Sequence, residues 1–298
     1  MTQEWLEGHR ARKRFGQNFL HDHHWIERIA RAIDPKPGDE LIEIGPGQAV
    51  IARAERQTAV EIDRDLAAFL RTQFPDGSLE LIEADALTLD WSTVLEGKRL
   101  RVFGNLPYNI SSPLLFALLP AAHRIIDQHF MLQKEVVDRM IAAPGSKTYG
   151  RLSVMLQYRY VMHKLFDVPP GAFTPAPKVT SSIVRMVPKP EEKLLPVDWN
   201  VFSALVAAAF QQRRKTMRNA IADFLDEEGF AEAGVLPTAR AETLDVEAFV
   251  RLANRPPSER LIKAHRAFHS SFWPRSSRGA PASRGESPRP RARKPAND

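Results

Sequence analysis

Four short apolar segments constrain the fold of this chain most strongly, because each is followed at once by a glycine turn or a polar side chain. They are Glu40–Ile44, Thr58–Ile62, Leu79–Glu83 and Leu100–Phe103. Short apolar segments that alternate with room for helices predict the buried strands of a parallel sheet. The carboxyl ends of parallel strands meet at one edge of the sheet, and α/β proteins bind their ligands there. The sequence therefore predicts an α/β chain with a ligand site at that edge.

Polar groups follow these strands where they would meet a bound ligand. The turn Gly45–Gln48 presents backbone N–H groups to a ligand, as a glycine turn ahead of a helix does. Glu61 lies at the end of the second strand, where a carboxylate accepts from both ribose hydroxyls of a nucleoside cofactor. Asp85 follows the third strand, where it could accept from an adenine amino group. Asp63 and Asp85 could instead cap helices, but four such strand ends in series are hard to assign to chance.

The fourth strand leads into Asn105-Leu106-Pro107-Tyr108. This stretch indicates more specifically than any other which ligand the site would bind. Gly104 is interpreted as the residue that lets the backbone turn, and Pro107 fixes φ, so a rigid loop is predicted. The Asn105 side chain offers an amide acceptor, and the Tyr108 ring offers a flat apolar face. Binding of a planar base with an exocyclic amine requires both groups, an acceptor for the amine hydrogen and an aromatic face for stacking. The alternative is an ordinary strand-to-helix turn in which Asn105 is a cap.

Composition limits the classes of protein that remain. The 298 residues are 43% hydrophobic and 26% charged, as in globular proteins, and the absence of cysteine excludes disulfides and thiolate metal sites. No apolar run approaches the roughly 20 residues of a membrane span, and the first residues do not form a secretion signal, so we expect a cytoplasmic protein. The net charge is +6, but residues 255–298 carry a local +8, which leaves −2 for the rest. Nucleic-acid binding therefore has to rest on local basic clusters.

The remaining segments outside the four strands give weaker signals. Residues 9–20 form a basic arm that suits phosphate contact, although a solvated arm is more common. Pro169–Pro177 is a rigid loop that could present Phe173 for stacking, although the residues alone favour burial of that ring. The other predictions are a helix from Asp22 to Ile33, a helix over Ala49–Arg56, a strand and helix within His129–Met140, a flexible loop over Ala143–Arg151, a strand or helix over Leu152–Tyr160, and a strand over Ser181–Val187.

The last third of the chain has a helical pattern. After the charged linker Pro188–Pro196, the predicted helices are Asn200–Phe210, Lys215–Phe224, Phe230–Ala233 and Val246–Leu252. Gln211–Asn219 is the densest basic cluster outside the tail and suits phosphate contacts that position RNA, with a solvated face as the alternative. Arg255–Asp298 is rich in Pro, Ser and Arg, which predicts disorder. The predicted domains are 1–190 for the sheet, 197–254 for the helices and 255–298 for the basic tail.

Eight blocks of this sequence, in the same order, resemble the bacterial small-subunit ribosomal RNA adenine dimethyltransferase family, the kasugamycin-resistance methyltransferases. The blocks are Arg12–Leu20, Glu43–Gln48, Val60–Asp65, Asp85–Leu87, Val102–Ser112, Phe130–Asp138, Pro169–Val179 and Gln212–Asn219. The resemblance runs from about Gly8 to about Asn254. It implies a class I methyltransferase fold, which is a Rossmann-like α/β sheet with helices on both faces, followed by a small α-helical C-terminal domain.

The resemblance also implies a reaction and a set of residues. Members transfer methyl groups from S-adenosyl-L-methionine to N6 of two adjacent adenosines near the 3′ end of 16S rRNA, in the immature small ribosomal subunit. Carried over by motif, the donor would contact Asn18, Leu20, Gly45, Glu61, Asp85 and Asn105. The catalytic set that holds the adenine would be Asn105, Leu106, Pro107, Tyr108 and Phe173. RNA would be bound by Arg12, Lys13, Arg14, Lys147, Arg213, Arg214, Lys215 and Arg218.

The implied chemistry needs alignment more than acid–base catalysis. Hydrogen bonds from N6–H to the Asn105 amide oxygen and the Pro107 carbonyl would aim the nitrogen lone pair at the methyl group. Phe173 would stack on the other side of the base, which has to leave its own stack first. We expect a monomer without a metal ion or a membrane partner.

One segment departs from the family pattern and keeps other functions open. The stretch from Glu43 to Glu61 is shorter than the pattern predicts, and Ala49 replaces the usual third glycine. Either the deletion is real, or the sequence lacks a flexible segment there, which we favour; an intact mass of 33.6 kDa would exclude the second explanation. The alternatives are an RNA-binding assembly factor with weak or lost catalysis and a DNA N6-adenine methyltransferase. Leu106 argues against the latter, because DNA enzymes usually carry a second proline at that position.

Overall fold

The computed structural model describes residues 17–47, 56–74, 77–94, 99–212 and 214–255. All of them lie in the first of two compact units, Met1–Pro256, and the second unit, Pro257–Asp298, lies outside the described residues. Most of the predicted tail and all but the last residue of the helix expected over Ala49–Arg56 therefore lie outside the described residues. So do four members of the predicted RNA-binding set, Arg12, Lys13, Arg14 and Arg213.

Seven strands form one central sheet, and two short strands form a separate ribbon. The strands are β1 (Phe19–Leu20), β2 (Glu40–Ile44), β3 (Arg56–Glu61), β4 (Leu79–Glu83), β5 (Leu100–Asn105), β6 (Ile125–Gln133), β7 (Tyr160–Val168), β8 (Phe173–Thr174) and β9 (Ser181–Pro188). The sheet has the order β4-β3-β2-β5-β6-β9-β7, and β1 pairs with β8. The first five strands of that order are parallel, whereas β9 is antiparallel to both β6 and β7. The predicted parallel sheet is thus confirmed, with an antiparallel pair at one end.

Helices connect the strands and follow the sheet. They are α1 (His23–Ile33), α2 (Arg64–Gln73), α3 (Trp91–Val94), α4 (Ser111–Ala117), α5 (Lys134–Met140), α6 (Arg151–Arg159), α7 (Trp199–Gln211), α8 (Met217–Ala220), α9 (Glu227–Ala233) and α10 (Val246–Ala253). α1 begins as predicted, because the Asp22 carboxylate accepts from the amide of His24 at 2.9 Å. Among the described helices, none has both the length and the apolar character needed to cross a bilayer.

Apolar side chains alternate along the strands and build a core on each face of the sheet. Ile42 and Val102 face a cluster that includes apolar residues of α4, α5 and α6. Leu41 and Phe103, their neighbours in sequence, face a second cluster with Ile29 and Ile33 of α1. The predicted helices on both faces of the sheet are therefore confirmed.

The C-terminal helices share a third apolar cluster. Phe202 of α7, Phe230 of α9 and Phe249 of α10 are fully buried in it. Tyr149 and Met155 also belong to this cluster, so the helices pack on α6 and on the loop that precedes it. The boundary between predicted domains 1–190 and 197–254 stays a prediction.

A buried ion cluster links β5, β6 and β9 at the amino ends of the parallel strands β5 and β6. Arg101 on β5 donates to both carboxylate oxygens of Asp127 on β6, at 2.8 and 3.0 Å, and to Asp39 at 3.0 Å. Arg101 also donates to backbone carbonyls at the end of α1. Arg185 on β9 donates to Asp127 at 3.0 Å. Burial alone would raise the pKa of Asp127, but the hydrogen bonds and charge of Arg101 hold it below its ordinary value.

Some predicted bounds in the first half were wrong by a few residues. β3 spans Arg56–Glu61 rather than Thr58–Ile62, because it pairs along the whole length of β2. β5 runs two residues further than predicted and ends at Asn105. Because Arg56 belongs to a strand, the helix expected over Ala49–Arg56 cannot include its last residue.

Two elements of the second half also differ from prediction. Leu152–Tyr160 is the helix α6 apart from its last residue, which begins β7, an edge strand that was not predicted. The helix expected over Lys215–Phe224 is limited to the four residues of α8. The start of α8 is joined to a distant loop, because the Met217 amide donates to the Ala239 carbonyl at 2.7 Å, and after α8 the Phe224 amide donates to the Ile221 carbonyl at 2.8 Å in a local turn.

The cationic loop over Ala143–Arg151 is held in place, so its predicted flexibility was wrong. The Gly145 amide donates to the Glu242 carbonyl at 2.6 Å, which joins the loop to the C-terminal helical segment. The Tyr149 ring is 1% exposed and contacts Phe210 edge-on. A buried aromatic anchor and a backbone hydrogen bond fix the loop from both sides.

Candidate active site

The carboxyl ends of the parallel strands bring the predicted site residues to one edge of the sheet. Glu61 ends β3 and pairs in register with Glu83 at the end of β4, while Asn105 ends β5. The Gly45 amide donates to the Val60 carbonyl at 2.9 Å, so the glycine turn begins level with the end of β3. Residues far apart in sequence thus share one edge, as the serial strand-end pattern predicted.

The glycine turn after β2 has a conformation that favours glycine. Gly45 and Gly47 have φ values of 66° and 62°, in the left-handed region. A Cβ on Gly47 would lie 3.0 Å from the Phe19 ring, so the N-terminal segment contacts the turn directly. Residue 48, the last of the predicted turn Gly45–Gln48, lies outside the described residues.

Gly104 is needed for close approach between strands, so its predicted role in turning the backbone was wrong. It lies inside β5, and its φ is not positive. A Cβ there would lie 2.3 Å from the carbonyl oxygen of Ile44 on β2. The absence of a side chain lets β5 approach β2 at the residue next to Asn105.

Glu61 is a buried carboxylate whose oxygens accept from backbone amides. One oxygen accepts from Gly47 at 3.2 Å, the other from Asp63 at 2.9 Å, and the side chain is almost fully buried. Burial raises the pKa of Glu61 to about 7 despite these hydrogen bonds. No described residue forms an ion pair with it, so its charge is stabilised by amide groups alone.

Asp63 makes the helix-capping contact that was the alternative interpretation, whereas Asp85 precedes a turn and caps none of the described helices. Asp63 accepts from the amide of Asp65 at 3.1 Å at the start of α2, and from the side chain of Gln17 at 3.2 Å. One oxygen of Asp85 accepts from the Leu87 amide at 2.9 Å. Within the described residues the other oxygen of Asp85 has no hydrogen-bond donor, so this turn contact does not exclude a ligand.

Asn105 is oriented by the N-terminal segment. Its Nδ2 donates to the backbone carbonyl of Asn18 at 3.0 Å. The amide nitrogen is thereby held, and no donor in the described part of the chain contacts Oδ1. The side chain is partly exposed. Asn105 Oδ1 is therefore the hydrogen-bond acceptor that this side chain presents to a ligand at the edge of the sheet.

The residues after Asn105 form a tight turn with distinct environments. Leu106 is buried in the core, and its amide donates to the Met131 carbonyl at 3.2 Å. The Pro107 carbonyl accepts from the Ile110 amide at 3.1 Å and from the Ser111 hydroxyl at 3.0 Å. Its two lone pairs are therefore engaged within the turn.

Tyr108 is half-buried at the same edge. Its hydroxyl lies 2.8 Å from the hydroxyl of Ser181, the first residue of β9. Burial raises the pKa of Tyr108, so the phenol stays protonated at neutral pH. Sequence reasoning did not single out Ser181, because a serine at the start of a strand has no distinctive signal.

Phe173 lies in the apolar core of the structure. It pairs with Leu20 across the β1–β8 ribbon and is 3% exposed, among Val168, Ala172 and Ile183. This is the burial that the residues alone favoured. Its stacking on a base stays a prediction and requires the ring to become uncovered.

The described members of the predicted RNA-binding set lie at two places. Lys147 is exposed on the fixed loop, while Arg214 and Lys215 are exposed ahead of α8. Arg218 is exposed but pairs with Glu227 at 2.7 Å. An isolated bridge between Thr216 and Arg240 brings a cation from a distant loop beside this cluster, which sequence spacing could not reveal.

Comparison with known proteins decides the family. The model of the family described as "Ribosomal RNA adenine dimethylase" matches residues 8–256. The chain belongs to this family. The ribosomal RNA small subunit methyltransferase A of Bordetella petrii is 56% identical over 254 residues, which cover 84% of this chain and 96% of the relative. The protein of the same name from Acinetobacter baylyi is 51% identical over 256 residues, covering 84% and 93%.

Solved structures agree with this ribosomal RNA adenine dimethylase fold. A dimethyladenosine transferase from Plasmodium falciparum superposes with a TM-score of 0.62 at 22% identity, over 78% of this chain and 95% of that one. The 23S rRNA methyltransferase ErmE superposes with a TM-score of 0.59 at 25% identity, over 82% and 100%. The predicted class I methyltransferase fold is therefore confirmed. Within the described residues, no group of three His, Cys, Asp or Glu side chains could hold a metal ion.

Proposed function

We propose that this ribosomal RNA adenine dimethylase methylates N6 of two adjacent adenosines near the 3′ end of 16S rRNA, twice each. The methyl donor is S-adenosyl-L-methionine, and the substrate is the immature small ribosomal subunit. Family membership and the names of its relatives support the substrate class. The observation that carries the reaction type is the hydrogen bond from Asn105 Nδ2 to the Asn18 carbonyl, which leaves Oδ1 available to an exocyclic amine.

The chain's contribution to the reaction is to hold and aim the amine of the target base. Asn105 Oδ1 accepts one N6–H, and a backbone carbonyl accepts the other. We assign that second acceptor to Leu106 rather than to Pro107, because the Pro107 carbonyl already accepts two hydrogen bonds. With both protons held, the nitrogen lone pair is directed out of the base plane towards the donor. Proximity and alignment therefore account for most of the rate enhancement.

The residues at the β2–β5 edge fit a nucleoside-containing methyl donor. Gly45 and Gly47 form a turn without side chains, and Glu61 presents a buried carboxylate beside it. The Glu61 oxygens now accept from backbone amides, and ribose hydroxyls would add to or replace those donors. Within the described residues, Asp85 has an oxygen left for an adenine amino group, and we assign further donor contacts to Asn105, to Asn18, which it contacts, and to Leu20. The donor supplies an electrophilic methyl group on a sulfonium, so the protein needs no metal ion.

RNA is held by basic residues away from the reacting atoms. We assign phosphate contacts to Lys147, Arg214, Lys215 and Arg218, and to Arg12, Lys13, Arg14 and Arg213 outside the described residues. Arg240 joins this surface through its bridge with Thr216. Tyr108 and Phe173 bracket the flipped base, and Phe173 has to leave its apolar surroundings to do so.

Methyl transfer to immature small subunits tests the proposal. Wild-type protein with labelled donor should label 16S rRNA and yield dimethyladenosine in digested rRNA. Asn105→Ala should reduce transfer at least about 100-fold, as the loss of a group that acts in the transition state does. Asn200→Ala is the matched control, because that side chain is exposed at the start of α7. Donor binding measured by calorimetry separates an enzyme from a binder, since an assembly factor without catalysis need not bind the donor.

Wild-type labelling of DNA instead of rRNA would favour the DNA methyltransferase alternative. Equal activity of Asn105→Ala and wild type would contradict the assigned chemistry. We further propose that the protein acts as a cytoplasmic monomer without a metal ion. Activity should therefore persist in a chelator, and light scattering should give the mass of one chain.

A further inference from the structure

We propose that Ser181 is a positioning residue, which holds the Tyr108 ring at the angle needed to stack on the target adenine. The inference rests on the proposed function and adds a residue to its site. The observation is the 2.8 Å distance between the two hydroxyls. Tyr108 lies in a loop after β5, whereas Ser181 lies in the sheet.

The sheet fixes the Ser181 hydroxyl more firmly than the loop can fix Tyr108. Ser181 pairs with Gln133 on β6 and with Val168 on β7, so its backbone is held on both sides. Its side chain is fully buried. The preceding residue is also tied down, because the Thr180 carbonyl accepts from the Lys134 amide at 2.9 Å. The serine hydroxyl is thus a fixed point on a rigid element.

The register of the sheet explains why the tyrosine reaches this serine. Asn105 pairs with Met131 on β6, which pairs with Ile183 on β9. Tyr108 lies three residues beyond Asn105, and Ser181 lies two positions from Ile183 towards the same edge. The turn after β5 therefore carries the phenol across β6 to the start of β9. The hydrogen bond therefore joins the phenol oxygen of Tyr108 to β9, which lies two strands from β5 in the sheet.

A ring held at its hydroxyl loses freedom to rotate or swing out of the pocket. Tyr108 is only half-buried, so packing alone covers part of the ring. Stacking depends on the plane and offset of the two rings, so a ring fixed before the base arrives avoids an ordering cost during binding. The neighbouring Ser182 provides a natural comparison. It is equally buried, but its hydroxyl donates to Asp167 at 2.5 Å, away from Tyr108.

The test compares Ser181→Ala, Tyr108→Phe, the double variant and Ser182→Ala in methyl transfer to immature small subunits. Loss of one neutral hydrogen bond should lower kcat about fivefold in Ser181→Ala and in Tyr108→Phe. The double variant should lose no more than either single variant, because both remove the same contact. The Michaelis constant for the donor should stay within about twofold of wild type in all of them, and Ser182→Ala should keep the wild-type kcat.

Three outcomes would overturn the inference: wild-type kcat in Ser181→Ala or Tyr108→Phe, additive losses in the double variant, or an equal loss in Ser182→Ala. If Ser181→Ala does not fold, Tyr108→Phe removes the same hydrogen bond from the partly exposed side and decides alone. A wild-type protein that transfers no methyl groups would contradict the proposed function. An active wild type with unaffected variants would contradict the positioning role only.

Discussion

The two ends of the central strands bury charge in opposite ways. Near the amino ends, Asp127 accepts hydrogen bonds from Arg101 and Arg185, and its pKa lies below its ordinary value. At the carboxyl ends, the donors to Glu61 among the described residues are backbone amides, and burial raises its pKa to about 7. Both carboxylates are almost fully buried in one sheet, so the difference lies in their partners.

This difference separates an end that stabilises the fold from an end that binds a ligand. Arg101 and Arg185 satisfy the charge of Asp127 within the protein, and Arg101 also donates to carbonyls at the end of α1. Glu61 keeps a charge that is costly to bury, which a ligand with hydroxyl groups would stabilise by hydrogen bonds. Changes at the first end should therefore affect stability, and changes at the second should affect donor affinity.

The largest effect is expected at the amino end of the sheet. Asp127→Ala removes the carboxylate that accepts two hydrogen bonds from Arg101 and leaves this buried guanidinium with Asp39 as its remaining anionic partner among the described residues, which should cost about 3 kcal/mol of unfolding free energy. Urea denaturation measures the loss. Arg71→Ala removes only the exposed contact with Glu83 and should cost less than about 1 kcal/mol. Equal effects of the two variants would contradict the assignment of the amino end to stability.

A smaller, more specific effect is expected at the carboxyl end. Glu61→Gln should weaken donor binding about 10- to 100-fold, because hydrogen bonds to a charged group are the strong ones. The unfolding free energy at pH 8 should not fall, since a buried charge has been removed. Glu83→Gln is the matched control on the neighbouring strand and should change donor affinity less than about twofold in calorimetry. A Glu61→Gln variant that is destabilised but binds the donor normally would contradict the assignment of the carboxyl end to ligand binding.

The smallest expected effect is the pH dependence that Glu61 adds to the unfolding free energy and to the donor affinity. Its pKa is raised from 4.5 to about 7, so the folded chain holds this proton more tightly than the unfolded chain. The contribution of Glu61 to unfolding free energy therefore falls as pH rises between these two values and then levels off. Donor affinity should show the opposite trend, rising with pH up to about 7, because ribose hydroxyls need an ionised acceptor. Titration calorimetry from pH 6 to pH 8 should give a flatter profile for Glu61→Gln than for wild type.

Much of the fold could be predicted, because the apolar segments and their polar ends carry local signals. The segments at Glu40–Ile44 and Leu79–Glu83 became strands with the predicted bounds. β7 was missed because the edge strand carries polar residues between its apolar ones, and its first residue, Tyr160, continued a helical pattern. The helix expected over Lys215–Phe224 was overestimated, because Thr216 pairs with a distant loop before α8 and the chain after Ala220 forms a local turn at Ile221.

The residues of the candidate site were predicted, but the hydrogen bonds between them were not. Sequence order indicated Glu61, Asp85 and Asn105, since each follows a strand. It could not show that Asn18 orients Asn105, or that the Pro107 carbonyl is already engaged. Hydrogen bonds between residues tens of positions apart have no signature in local spacing.

By itself, the sequence determined that polar groups would collect at one edge of a parallel sheet, because strand period and turn residues act over a few positions. Only the tertiary structure decided which of those groups keep an oxygen that can accept a hydrogen bond from a ligand. Among the described residues, Asn105 Oδ1 has no donor while the Pro107 carbonyl accepts two hydrogen bonds, and neither could be known from the motif because the hydrogen-bond partners are set by the folded chain. The same holds for Ser181, whose hydroxyl meets Tyr108 only once β9 lies beside β6.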